Sequence, residues 1–176
     1  MKIHKGFTLI ELMVVLAVAA VLMTVALPSF LAVIQNNKSI TQANELVAAI
    51  NLARSEAIKR GRSVFICASS DQATCIATYA NTSWPLGWIV VEDTDASGTY
   101  TTADDTNVLR VWDAMATGTS LTNDTSETII RYRSTGLTDL AAELTFTMKV
   151  ADCKNNNGRL IKINTTGRIH SEKTAC

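Results

Sequence analysis

The 176-residue chain holds two histidines and two prolines, and its 16 basic residues are balanced by 16 acidic ones. Each shortage removes a class of function. His4 lies in the N-terminal tip, which leaves His170 as the one histidine of the body. No Gly-x-Ser-x-Gly elbow, Gly-rich phosphate loop or His-x-x-His spacing occurs, so neither nucleophilic catalysis nor a histidine metal site is expected. Paired acids such as Asp104-Asp105 read as solvated turns. The chain reads as a non-enzyme without cofactors. A formal charge of zero argues against bulk electrostatic binding to nucleic acid and leaves room only for a local patch.

Apolar residues are not scarce. They crowd into residues 7–34, a run interrupted by one acid, Glu11. As a helix this run would extend roughly 42 Å at 1.5 Å per residue, against the roughly 30 Å of a bilayer core. It is too long for the apolar part of a secretory signal, and no small-x-small cleavage site follows it. The basic residues ahead of it, Lys2 and Lys5, predict an N-terminus inside the cell and a domain outside. An acid within such a run costs about 2.5–3.5 kcal/mol on insertion scales, so Glu11 calls for a partner. A cut after Gly6 would free the amine of Phe7 near the membrane face, and the amine of a neighbouring subunit would then answer Glu11.

Lys5-Gly6-Phe7-Thr8-Leu9-Ile10-Glu11 resembles the prepilin cleavage motif of type IV pilins and type II secretion pseudopilins. The resemblance implies cleavage by a prepilin peptidase between Gly6 and Phe7, N-methylation of Phe7, and an assembly role for Glu11. It also makes Pro28 the helix-kinking proline, consistent with a residue that removes one backbone donor. The implied partners are other major and minor pilins or pseudopilins, the peptidase and the bacterial inner membrane. The resulting division is a leader over 1–6, a transmembrane and filament-core helix over 7–34, and an extracytoplasmic domain over 35–176. Lys2 and Lys5 leave with the leader, so the processed chain is slightly acidic.

Beyond Pro28 the helix is expected to continue to residue 60. Ile40, Ala43, Leu46, Val47, Ile50, Ala53, Ala57 and Ile58 recur at three- and four-residue steps and make one apolar face. Lys59 and Arg60 suit the negative end of the helix dipole, and Gly61 is the stop. Six strands are predicted, over 64–67, 88–91, 108–112, 128–133, 144–150 and 159–164, with Asn157-Gly158 as a hairpin signal between the last two. The fold class is α+β and type IV pilin-like: a long N-terminal helix, half transmembrane and half amphipathic, packed on an antiparallel sheet or sandwich. Trp88, Trp112 and Phe146 are the expected core aromatics. Four cysteines in an exported domain read as disulfides and allow three pairings. Cys67–Cys75 and Cys153–Cys176 are preferred, because each closes a local loop and the second secures the final residue. The spacing lacks the paired knuckles of a zinc site.

Ala53-Arg54-Ser55-Glu56-Ala57-Ile58-Lys59-Arg60-Gly61, the strand ending at Cys67, Cys75, Gly87-Trp88-Ile89-Val90 and Asp93 are together similar to the H-type minor pseudopilins and to minor pilins. That similarity implies a low-abundance subunit that helps to start a filament. Two further readings concern ligands. Asp93, Asp95, Ser97 and Asp104 place oxygens at positions 1, 3, 5 and 12 of a calcium-loop count, with Gly98 at 6, though strands rather than helices flank the loop. An acidic hairpin turn is the plainer reading. Gly167-Arg168-Ile169-His170 resembles in part a Gly-Arg-x-Arg motif of minor pilins that bind DNA during transformation. Arg159, Lys162, Arg168 and His170 are the candidate DNA contacts, with Lys154 and Lys173 nearby. His170 stands where the second arginine belongs, and Glu172 weakens the patch.

Overall fold

The computed structural model describes residues 8–80 and 82–176, with the side chains of 25–29 and 32 outside the described set. A single helix, α1 (Leu9–Arg60), leads into β1 (Val64–Ala68), a 3-10 turn (Trp84–Leu86), β2 (Trp88–Glu92), β3 (Val108–Trp112), β4 (Ser120–Asn123), β5 (Ile129–Tyr132), β6 (Leu144–Lys149), β7 (Gly158–Ile163) and β8 (Ile169–Thr174). The helical run is continuous through Pro28, whose side chain lies outside the description. It stops at Gly61, which takes the left-handed conformation at φ 65°. Arg60 bridges Glu56 at 2.6 Å and Glu92 at 2.7 Å, fastening the helix end to β2.

The lower half of α1 is bound to the sheets along one stripe. Ala43, Leu46, Ala49, Ile50, Ala53 and Ala57 are buried, at the spacing expected of an amphipathic helix. The alanines let strands come close, while Leu46 and Ile50 each contribute about 1.5–3 kcal/mol by leaving water. Two residues assigned to this face from periodicity are exposed instead, Ile40 and Ile58. Near Ile40 the helix meets loops through polar groups. Ser39 Oγ donates to the Asn157 carbonyl at 2.6 Å, and the Thr119 hydroxyl donates to Gln42 Oε1 at 3.0 Å. Ile58 lies on the flank of the stripe, beside Gly136.

Both sheets are four-stranded and antiparallel, in the orders β3-β2-β1-β5 and β4-β6-β7-β8. The first is buried on both faces at its centre. Val64, Ile66, Ala68, Trp88 and Val90 join the main core with α1, Phe146 and Ile161. On the opposite face Cys67, Cys75, Ile89 and Val91 form a smaller cluster, covered by Tyr100, Val108 and Ile129. Two loops therefore serve as the cover of that outer face: the Cys67–Cys75 loop and the β2–β3 connection.

Six strands fall where alternation and β-branched content predict them. β4 and β8 were not expected. β4 is short and β8, Ile-His-Ser-Glu-Lys-Thr, is polar enough to resemble a surface turn, yet each pairs along one edge of the second sheet. Asn157-Gly158 is not a two-residue hairpin turn. Gly158 opens β7, and the connection from β6 is a longer loop in which Asp152 and Asn155 adopt positive φ. Trp88 and Phe146 are buried as expected, whereas Trp112 is half-buried and stacks on Trp88 with centroids 6.4 Å apart. Trp84, in the 3-10 turn ahead of β2, is fully buried. Its indole N–H donates to the Glu127 carbonyl at 2.8 Å, and its ring meets Phe146 edge-on at 4.9 Å. Both disulfides have the preferred connectivity, Cys67–Cys75 and Cys153–Cys176, and no described cysteine is free.

Candidate functional site

The helix start carries the first candidate. Gly6 and Phe7, the predicted cleavage and methylation positions, lie outside the described residues. Thr8 is the N-cap of α1, and Glu11 stands three residues on. The Glu11 N–H donates to Thr8 Oγ1 at 3.3 Å, while Glu11 Oε2 accepts from the Thr8 N–H at 2.8 Å and the Thr8 hydroxyl at 2.9 Å. This reciprocal pair is a capping box, which satisfies donors that a helix start leaves open. The signal, Thr-x-x-Glu ahead of an apolar run, is present in the sequence. In the lone subunit the Glu11 carboxylate thus has a local use.

Above the bound stripe the helix is bare. Leu9, Ile10, Leu12, Val14, Leu16, Val18, Val21 and Leu22 are all exposed. Among the described residues no helix is long and apolar enough to cross a membrane. The undescribed side chains at 25–29 and 32 interrupt the run that sequence predicts as the membrane half. A continuous apolar surface of this kind is rare on a soluble monomer and marks a contact with lipid or protein.

Of the C-terminal basic residues, Lys162, Arg168 and His170 border one open pocket together with Glu143, and Arg159 does not join them. Arg159 is buried on β7, and its Nη2 donates to Asn36 Oδ1 on α1 at 2.9 Å. Lys162 bridges Glu172 across the β7–β8 ladder at 2.6 Å, which raises the lysine and lowers the carboxyl from their ordinary pKa values. His170 lies 3.8 Å from the same Glu172. Arg168 is exposed in the β7–β8 turn. Gly167, ahead of it, has a packing task. At φ 77° a Cβ there would fall 2.4 Å from the Gly136 carbonyl oxygen and 2.8 Å from the Tyr132 ring. Tyr132 OH in turn donates to the Gly167 carbonyl at 3.4 Å, and burial pushes its hydroxyl well above the usual tyrosine range.

The β2–β3 connection holds the acidic residues. It begins at Asp93, which is buried, as is Asp105. One carboxylate oxygen from each of Asp93, Asp95 and Asp105 lies within 4.8 Å of the other two. Asp93 is pushed up from the ordinary carboxylate range by burial first and by its acidic neighbours after it, whereas Asp95 is held down chiefly by the Ser97 N–H and hydroxyl. Ser97 and Asp104 are placed differently from the calcium-loop count. Ser97 Oγ donates to the Thr99 carbonyl at 3.0 Å, and Asp104 Oδ2 accepts from the Thr101 hydroxyl at 3.0 Å. Asp105, one position beyond the counted twelfth, joins the cluster instead. The count assumed helix-flanked loop geometry, and between two strands the chain turns the other acid inward.

Comparison with known proteins matches two family profiles. One, described as "Type II transport protein GspH", spans residues 42–167, and the other, a "Prokaryotic N-terminal methylation motif", spans residues 1–27. Among solved structures, the type IV minor pilin FimU of Pseudomonas aeruginosa strain PAO1 shares the fold in two crystal forms. The first is 23% identical, with a TM-score of 0.58 over 77% of this chain and 89% of that one. The second is also 23% identical, with a TM-score of 0.55 over 75% and 90%. The fold shared with that minor pilin and the profile match through most of the body agree: the chain has a type IV pilin-like fold and belongs to the GspH family.

Proposed function

We propose that this subunit works by assembly, helping to start and taking its place in a type IV pilus or type II secretion pseudopilus. The carrying observation is the division of α1. One stripe of residues 43–57 is taken up by the subunit's own core, while the large apolar residues from Leu9 to Met23 are exposed. Before assembly the bare half lies in the bacterial inner membrane, in a single pass with the N-terminus cytoplasmic and the domain periplasmic. Prepilin peptidase cuts between Gly6 and Phe7 and Phe7 is N-methylated. In the filament the same surface packs against the helices of other pilins or pseudopilins, with Pro28 allowing the rod to bend. The role is structural rather than enzymatic and uses no cofactor.

Glu11 sets the register. Inside a bundle of apolar helices, a carboxylate without a positive partner carries a penalty that pairing with the Phe7 amine of an adjacent subunit relieves. The capping box supports a two-state use of this side chain, turned onto Thr8 in the lone subunit and onto a neighbour in the filament. Glu11→Ala tests this in cells. The variant is expected to reach the membrane and to be cleaved, as read by mobility, while filament incorporation falls steeply. Normal assembly of Glu11→Ala refutes the registry role, and a Phe7 that never becomes a free terminus refutes the whole reading. Recovery of partner subunits by cross-linking from the native membrane distinguishes pilus from secretion filament.

A further inference from the structure

Three carboxylates meet in the β2–β3 connection. Among the described residues none of Asp93, Asp95 and Asp105 forms an ion pair. The nearest arginines are engaged elsewhere. Arg62 Nη1 donates to the Thr94 carbonyl at 2.7 Å, and Arg131, packed under Gly98, binds Asp139 at 2.8 Å and Ser63 Oγ at 3.0 Å. Several of the acid oxygens have backbone donors. Asp93 Oδ2 accepts from Gly98 N at 3.0 Å, Asp95 Oδ1 from Ser97 N at 2.9 Å, and Asp105 from Thr94 N at 3.1 Å and Thr101 N at 2.9 Å. The exception is Asp93 Oδ1, which is buried and has no hydrogen-bond donor among the described residues. The whole residue is buried, and the side chain facing it is another acid, Asp95. A buried carboxylate oxygen left bare among like charges is costly and uncommon, and it marks the place of a missing ligand.

We propose that Asp93, Asp95 and Asp105 bind one calcium ion, which clamps the β2–β3 loop over the outer face of the first sheet. The donor set is all hard oxygen, which suits calcium or magnesium and not zinc or copper. Ligand number decides between the first two. Calcium takes six to eight oxygens at about 2.3–2.6 Å in a flexible shell and accepts several protein carboxylates, whereas magnesium keeps most of its waters and is held by one or two. Three carboxylates within 4.8 Å of one another on a loop match the first pattern. The loop so fixed carries Tyr100, whose ring meets Phe65 edge-on at 5.9 Å and whose hydroxyl accepts from the Cys75 N–H at 3.1 Å. The ion would therefore hold the cover over Ile89 and Val91 from the end opposite the disulfide.

The test uses the full chain in detergent micelles, stripped with chelator and titrated calorimetrically with calcium chloride or magnesium chloride. One calcium per chain is expected, with a Kd on the order of 10⁻⁴–10⁻³ M, as for extracellular modules. At ten times Kd the melting temperature should rise by about 3–6 °C. Asp93→Asn and Asp95→Asn should each weaken calcium at least tenfold. Asp95 is exposed, so its variant carries little risk to folding. Unchanged calcium affinity in Asp95→Asn and Asp93→Asn overturns the site. A magnesium response as large as that of calcium overturns the choice of ion. Absence of calcium heat at neutral pH, with Asp93→Asn melting above wild type, would show that the acids share a proton instead.

Discussion

Replacing Gly167 with alanine separates a packing role for the β7–β8 turn from a recognition role. Two terms enter. Gly167 sits at φ 77°, and a left-handed conformation costs an ordinary residue about 1–2 kcal/mol. Its new Cβ would also lie 2.4 Å from the Gly136 carbonyl oxygen and 2.8 Å from the Tyr132 ring. One obstacle is backbone and the other is a fully buried ring, so neither rotates away, and relief by backbone movement costs about 1–3 kcal/mol more. The expected loss is about 2–5 kcal/mol, a large part of the 5–15 kcal/mol that holds an ordinary domain together. Gly61→Ala is the internal control. It has φ 65° and nothing within 4 Å of the added carbon, so it pays the conformational term alone. Gly136→Ala should fall between, because its Cβ meets the movable end of Ile58. Thermal unfolding followed by circular dichroism, on the full chain in micelles, should rank Gly61→Ala mildest and Gly167→Ala most severe. At about 2–4 °C per kcal/mol the first drops by about 2–8 °C and the last by about 4–20 °C. Equal drops for Gly61→Ala and Gly167→Ala would refute the close-approach argument.

Acid should unmask Asp71, and nucleic acid should not respond to the C-terminus. The Asp71 carboxyl is held well below the usual range, first by the Thr74 hydroxyl and then by the Thr74 and Ala73 N–H groups. A depressed folded pKa means that its stabilisation is complete above the unfolded value near 3.9 and disappears as pH falls below it. Asp71→Asn should therefore melt below wild type at pH 7, with the gap narrowing steadily as pH falls below about 4; a gap undiminished at pH 2 contradicts the linkage. For DNA, Arg159 is buried against Asn36 and Lys162 is paired with Glu172, so the four candidate residues cannot present four phosphate contacts. A gel shift at about 100 mM salt should show no retarded band, and Arg168→Ala should change nothing. A retarded band whose affinity falls steeply with salt would restore the DNA reading.

What was legible in the sequence was whatever depended on one-dimensional pattern. Steps of three and four between Ala43 and Ala57 mark the buried stripe, and Lys59-Arg60-Gly61 marks its end, because helix burial and capping are local properties. Six strands followed from alternation and branched side chains for the same reason. β4 and β8 escaped because an edge strand needs only one paired side and can be polar on both faces. The half-burial of Trp112 and the full burial of Trp84 depend on which loop folds over which sheet, and neither hydropathy nor spacing contains that. At the candidate sites the difference is sharper. Glu11 was readable as an anomaly, and its Thr8 partner was readable too, as a capping box. Asp105 was not, because choosing between Asp104 and Asp105 depends on a turn whose direction is set by Thr94 and Thr101, both earlier in the chain.

The outer face of the first sheet shows why that turn matters. Ile89 and Val91 stay dry only because two loops lie across them, and the two are held by different means. The Cys67–Cys75 loop is closed covalently and contributes about 2–3 kcal/mol by the chain-entropy estimate for so short a loop. The β2–β3 loop has no covalent tie, and at its root it gathers three acids, of which Asp93 and Asp105 are buried and Asp95 is exposed. Its apolar contact, Tyr100 on Phe65, pulls inward while the acids at its root push apart. Coulomb repulsion between buried carboxylates is screened far less by salt than a surface pair would be, so ionic strength alone cannot quiet it. Either a bound cation or a shared proton must answer those charges for the loop to lie closed. The bare apolar half of α1 needs a membrane or a neighbouring helix, and the acidic root of this loop needs a counter-charge. The subunit is thus self-sufficient along its helix stripe and its second sheet, and dependent on its surroundings at two ends of the same body.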